Sequence, residues 1–144
     1  MLEHGGRLRE AARRYGIPFG DWLDLSTAIN PQGYAAPPIS PSVWQRLPED
    51  DDGLEAAAAA YYGNASLLPL PGSQAAIQAL PRCFAPHRVA VLAPSYNEHA
   101  HAWRSVGHEV VAVAAHALED AARECATLVL CNPNNPDASC LPRE

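Results

Sequence analysis

Apolar residues follow two spacings along this chain. From residue 88 onward, short continuous apolar runs alternate with segments of helical spacing. Arg88-Val-Ala-Val-Leu-Ala93, Glu109-Val-Val-Ala-Val113 and Thr127-Leu-Val-Leu-Cys131 show no polar alternation, as a strand covered on both faces requires. The segments 97–107 and 117–124 lie between them and read as helices. This order predicts βαβ units and a largely parallel sheet. Upstream, helices are predicted over 6–15, closed by Gly16 and Pro18, and over 52–62, stopped by Gly63-Asn64. A third opens at Gly72-Ser73 and runs to Leu80. Trp22 to Leu25 and Ser66 to Leu70 are short apolar pieces, the first read as extended, and Pro31 to Pro48 reads as an irregular connection.

Composition narrows the classes of function. The chain has 144 residues, 48% hydrophobic and 18% charged, a globular balance sufficient for one ordinary domain. All ten basic side chains are arginine, and no residue of this chain can form a Schiff base. Neither a Walker-type nor a G-x-G-x-x-G phosphate loop is present. The net charge of −6 argues against non-specific nucleic-acid binding, and Arg7, Arg9, Arg13 and Arg14 read as a solvated helix face. No apolar run approaches the roughly 20 residues of a membrane span. The first residues lack a signal-peptide plan. Four cysteines without C-x-x-C spacing fit reduced thiols in a cytoplasmic protein.

In a parallel sheet, ligands gather at the C-terminal ends of the strands. Three distinctive segments follow apolar stretches: Pro71-Gly-Ser-Gln74, Ala93-Pro-Ser-Tyr-Asn97 and Cys131-Asn-Pro-Asn-Asn-Pro136. Ser73 at a helix start, after Gly72 and before Gln74, reads either as part of an anion cup or as a plain N-cap. Tyr96 reads as a ring that stacks on a planar ligand, or as a tyrosine packing on its own helix. The Asn/Pro-rich turn reads as one that holds an asparagine amide at a fixed angle, or as a plain turn. His4-Gly5-Gly6 reads as a lid residue with two flexible neighbours, or as a mobile leader. His99 and His101 stand two apart on a predicted helix, about 200° around it, so they diverge. They read as surface histidines, and no metal site is expected.

In this order, the segments resemble the amino-terminal part of a fold-type-I pyridoxal-phosphate enzyme. Within that group the chain is most similar to the L-threonine-O-3-phosphate decarboxylases of cobalamin biosynthesis, relatives of the histidinol-phosphate aminotransferases. The likeness runs from His4 to Pro136. His4-Gly-Gly-Arg-Leu-Arg-Glu-Ala11, Leu23-Asp-Leu-Ser26 and Ile29-Asn-Pro-Gln-Gly33 point to the decarboxylase. The resemblance implies an α/β fold: an arm and proline-rich connection over 1–50, then over 51–144 the incomplete first part of the large cofactor-binding domain, with a mostly parallel sheet and flanking helices. It implies that Gly72, Ser73 and Gln74 hold the cofactor phosphate, that Tyr96 stacks on the pyridine ring, and that Asn135 hydrogen-bonds the ring O3′. His4, Gly5, Ser26 and Asn30 would line the substrate side, facing a phosphorylated amino acid. The reaction implied is decarboxylation of L-threonine O-3-phosphate to (R)-1-amino-2-propanol O-phosphate by a cytoplasmic homodimer, without nucleic acid or membrane partners.

The sequence departs from that pattern in three places. Leu47 stands before Pro48-Glu49, where the family has a tyrosine reaching a neighbouring subunit. Asn135-Pro136-Asp137-Ala138 replaces an Asn-Pro-Thr-Gly turn. The aspartate facing the pyridine nitrogen, the Schiff-base lysine and the carboxylate-binding arginine fall in the family beyond the asparagine turn. The chain is therefore expected to be about the first two-fifths of an enzyme and inactive alone. Two other readings are an aminotransferase of the same fold and a non-catalytic α/β binding domain.

Overall fold

A computed structural model describes residues 4–49 and 51–142. Contacts divide the chain into two units, Met1–Ile29 with Ala76–Glu144, and Asn30–Ala75. These cuts fall at 29/30 and 75/76.

The first unit holds the sheet. Strands β1 (Arg88–Leu92), β2 (Glu109–Val113) and β3 (Thr127–Val129) are all parallel, in the order β2-β1-β3. Val89 of β1 is in register with Val110 on one side and Thr127 on the other. The continuous apolar run of β1 has its expected consequence: Val89 and Ala90 are wholly buried, while Arg88 reaches solvent. Helix α4 (Asn97–Ser105) connects β1 to β2 and buries Ala102 and Trp103. Val89, Val91 and Trp103 form the core, joined by Ala100, Val110 and Val129. Helix α5 (Leu118–Glu124) leads to β3 and buries Leu118 and Ala121.

A buried histidine locks the start of the sheet. The backbone N–H of His87 donates to His108 Nδ1 at 3.1 Å, so Nδ1 is the bare nitrogen and Nε2 donates to the Pro81 carbonyl at 3.0 Å. His108 is 5% exposed and stands 4.6 Å, centroid to centroid, from Trp103. His87 in turn bonds the Ala85 carbonyl through Nδ1 and Thr127 Oγ1 through Nε2, both at 2.8 Å. One side-chain chain thus ties the segment before β1 to the starts of β2 and β3.

Helix α1 (Leu8–Tyr15) lies near the amino terminus and ends on Gly16 in the left-handed region, φ 67°. Its three arginines, and Arg7 just before it, are exposed, Arg9 lying over the Phe19 ring at 5.2 Å. The second unit contains α2 (Leu54–Tyr62), whose C-terminus is closed by Gly63 donating to the Ala59 carbonyl. Helix α3 (Ser73–Ala79) spans the contact boundary.

Several boundaries differ from those read in the sequence. Helix α4 stops at Ser105 because Gly107 turns the chain with φ 92°. Strand β3 ends at Val129, two residues before the apolar run does. The proline stretch is not wholly irregular: Pro41–Gln45 forms a 3-10 turn, with proline at its start, where a missing N–H costs nothing. Trp22–Leu25 forms no strand among the described residues; the Trp22 indole donates to the Ile17 carbonyl at 3.2 Å. All four cysteines are free thiols. Among the described residues no helix is long and apolar enough to cross a membrane.

Candidate functional site

From β1 the chain passes first to β2 on one side and later to β3 on the other. The loops that leave β1 and β3 therefore diverge at a switch in strand order, where parallel sheets form their binding crevices. The loop after β1 carries Ser95 and Tyr96; the loop after β3 carries Asn132 to Pro136.

Asn134 fastens the two loops together. It is 5% exposed, and its amide donates to the Pro94 carbonyl at 3.0 Å and to Asp137 Oδ1 at 2.9 Å. Its backbone N–H donates to the Ser139 carbonyl, and its own carbonyl accepts from Ala138, both at 2.8 Å. The Asp137 carboxylate also accepts from the Ser139 N–H and hydroxyl, which together with Asn134 hold its pKa below the ordinary carboxylate value. The Asp137-Ala138 departure is thus accommodated by a turn in which Ala138 takes φ 57°. With Asn134 inside the turn, the neighbouring Asn135 is left exposed and facing the crevice.

The amino-terminal arm forms another wall. The Gly6 N–H donates to Ser26 Oγ at 2.8 Å, and that hydroxyl donates to Asp24 Oδ1 at 2.6 Å. The Ser26 hydroxyl and N–H hold the Asp24 carboxyl below its usual pKa. Gly5 lies so close to Ser26 that an added Cβ would overlap its carbonyl oxygen. His4 Nε2 pairs with Glu98 Oε1 at 2.8 Å, and its ring stands 6.1 Å from that of Tyr96.

Between these walls lies a cavity of about 630 Å³, in the range of small-molecule sites. His4, Gly5, Ser26, Ser95, Tyr96 and Asn135 all line it. Ser95 Oγ is buried without a hydrogen-bond partner among the described residues, as is Asn134 Oδ1. An unpaired buried hydroxyl costs roughly 1–3 kcal/mol, so the Ser95 wall is suited to a polar ligand group.

The other expected site residues belong to the second unit. Gly72 has φ 83°, and Ser73 begins α3; Gly72, Ser73 and Gln74 are all exposed. Ser73 makes no side-chain hydrogen bond among the described residues, so it does not act as a cap there. Asn30 is exposed, its Oδ1 accepting the Gln32 N–H at 2.9 Å in a local turn. Leu47 is 89% exposed.

Two residues take places that their neighbours in sequence did not suggest. Glu98 lies beneath the arm and accepts from Gln78 Nε2 at 3.1 Å. His99, expected on the surface, is half-buried, with Nε2 3.2 Å from Cys131 Sγ, and desolvation lowers its pKa. His101 does face solvent. No cluster of three metal-ligating side chains occurs among the described residues.

A parallel sheet with an aromatic and polar cavity over its strand ends defines an α/β protein with a crevice at the switch in strand order. Comparison with known proteins specifies which one: residues 44–144 match the profile of the aminotransferase class I and II family, and the chain belongs to that family. It is 60% identical over 136 residues to the threonine-phosphate decarboxylase of Pseudomonas aeruginosa, covering 94% of this chain and 41% of that protein. It is 44% identical over 146 residues to the threonine-phosphate decarboxylase of a Sinorhizobium species, covering 97% of this chain and 43% of that one. The crystal structure of L-threonine-O-3-phosphate decarboxylase from Porphyromonas gingivalis aligns with a TM-score of 0.63 at 30% identity, covering 69% of this chain and 34% of that one. The chain spans about two-fifths of the length of these curated relatives.

Proposed function

We propose that this chain forms the arm and the first part of the cofactor domain of a pyridoxal-phosphate-dependent threonine-phosphate decarboxylase, a cytoplasmic homodimer. The observation that carries the reading is the cavity, which gathers His4, Ser26, Tyr96 and Asn135 on one side of the sheet. The relatives named above supply the choice of reaction.

The residues of the cavity fit the cofactor. The Tyr96 ring offers a flat face to a pyridine ring, and the exposed Asn135 amide offers a donor to a ring oxygen. Ser95 adds a hydroxyl lacking a partner. Gly72, Ser73 and Gln74 would hold the phosphate, through N–H groups at the start of α3. When bound, the cofactor serves as an electron sink for the carbanion left by loss of CO2. The chain's own part is to orient and enclose: Asn134 fixes the turn that presents Asn135, and the arm closes one side of the cavity. On the substrate side, His4, Gly5, Ser26 and Asn30 would meet the phosphorylated amino acid. The chain contains no lysine, so the amine that binds the cofactor covalently is not among these residues. Leu23 and Leu25, each 80% exposed, are apolar surface suited to burial in the whole protein or its dimer.

The test uses the full-length protein that carries this chain, loaded with pyridoxal phosphate and given threonine phosphate. Release of CO2 with formation of 1-amino-2-propanol O-phosphate is expected. Keto-acid-dependent amino transfer without CO2 would instead establish an aminotransferase. Borohydride reduction followed by peptide mapping is expected to place no cofactor adduct within these 144 residues.

A further inference from the structure

We infer that Glu98 is a positioning residue for the substrate side of the site, acting through His4. The inference rests on the decarboxylase reading above. Glu98 lies on α4, directly after the loop that carries Tyr96, and its carboxylate is shared: one oxygen takes Gln78 Nε2 at 3.1 Å, the other takes His4 Nε2 at 2.8 Å. Its side chain is 12% exposed, that of His4 41%. The buried member is thus fixed from behind by Gln78, and the exposed member is fixed by it. Among the described residues His4 Nδ1 makes no hydrogen bond, so pairing through Nε2 leaves the other nitrogen available on a ring that lines the cavity.

The arrangement has a reason. Gly5 and Gly6 anchor the backbone to Ser26 but leave the imidazole free to turn. Holding a side chain in its working rotamer before the ligand arrives removes an ordering cost from binding. A carboxylate beside the ring also sets which nitrogen carries the proton towards it. Glu98 is not among the residues lining the cavity, whereas its partner His4 is.

The test is a double-mutant cycle in the full-length holoenzyme with threonine phosphate as substrate. Glu98→Gln replaces an acceptor oxygen by a donor, and serves both Gln78 and His4 only if the His4 ring exchanges its tautomer, which moves the proton to Nδ1. It is expected to raise KM about tenfold, the equivalent of ~1.4 kcal/mol, with kcat within about threefold. His4→Ala is expected to raise KM at least as much. The double variant should be no worse than His4→Ala alone, because the effect of Glu98 passes through the imidazole. Gln78→Ala, which loosens Glu98 from behind, should give a smaller KM rise, and stands in if Glu98→Gln fails to fold. Multiplicative KM effects in the double variant, an unchanged KM, or a loss confined to kcat would overturn the inference. Failure of the decarboxylase reading shows separately, as absence of CO2 release by the unsubstituted enzyme.

Discussion

Gly5→Ala tests the arm most directly. Gly5 is not among the glycines with positive φ, so alanine meets no conformational barrier there. The barrier is spatial: the new Cβ would overlap the Ser26 carbonyl oxygen and sit 2.7 Å from its carbon and 2.9 Å from its Oγ. Two of these atoms are backbone and cannot swing aside, so the arm must leave. What it gives up can be estimated. The Gly6 to Ser26 hydrogen bond contributes about 1 kcal/mol. The His4–Glu98 pair, half in solvent, contributes at most about 1 kcal/mol. Together they favour the docked arm by up to ~2 kcal/mol, about thirtyfold. Trypsin cleavage after Arg7 reads the undocked population, since a protease needs a released segment. Gly5→Ala is expected to speed that cut by ten- to thirtyfold. The melting temperature should fall by no more than several degrees, the equivalent of up to ~2 kcal/mol, because α1 buries no residue. Gly6→Ala is the comparison: its Cβ would meet only Thr27 Cγ2 at 3.5 Å, and its φ of 78° carries a cost of about 1 kcal/mol. A cleavage rate for Gly5→Ala within twofold of the parent, or below that of Gly6→Ala, would refute the reasoning.

Three further outcomes are expected. His108→Ala strips partners from the His87 N–H and the Pro81 carbonyl and opens a void beside Trp103, and should cost about 3 kcal/mol in urea unfolding. Asn134→Asp should lower the melting temperature more than Asn134→Ala, because the new carboxylate would face that of Asp137 where an amide now donates at 2.9 Å. Desolvation holds the folded pKa of His99 below its unfolded value of 6.5, so the unfolded chain takes up the proton first as pH falls. Stability should drop as pH goes below about 6.5 and level off beneath the folded pKa, and His99→Gln should flatten that part of the denaturation profile.

The sheet was legible because its strands are covered on both faces, and continuous apolar runs have few other uses at that length. Their ends were less so. Leu128-Val-Leu-Cys131 continues apolar beyond Val129, yet Leu130 is already leaving the ladder for the asparagine turn. The 3-10 turn at Pro41–Gln45 was hidden because proline density signals irregular chain and helix starts alike. In the site, Tyr96 announced itself by standing after a strand, and Asn135 was singled out by the family resemblance. Asn134 was not, because nothing in Asn-Pro-Asn-Asn-Pro distinguishes the asparagine that builds the turn from the one it presents. The half-burial of His99 did leave a signal. Trp103 lies four residues on, on the same helix face, and a tryptophan on an amphipathic helix marks the buried side. Glu98 left none, since its partners His4 and Gln78 are distant in sequence.

The two loops that frame the cavity hang from adjacent strands but are fastened by one side chain, Asn134, rather than by the sheet itself. Framework and recognition surface can therefore change independently over evolutionary time. A residue gained or lost near 130–136 alters the opening without disturbing the Val89–Val129 core. One scaffold can in this way come to accept ligands of different size and charge while its strands stay as they are.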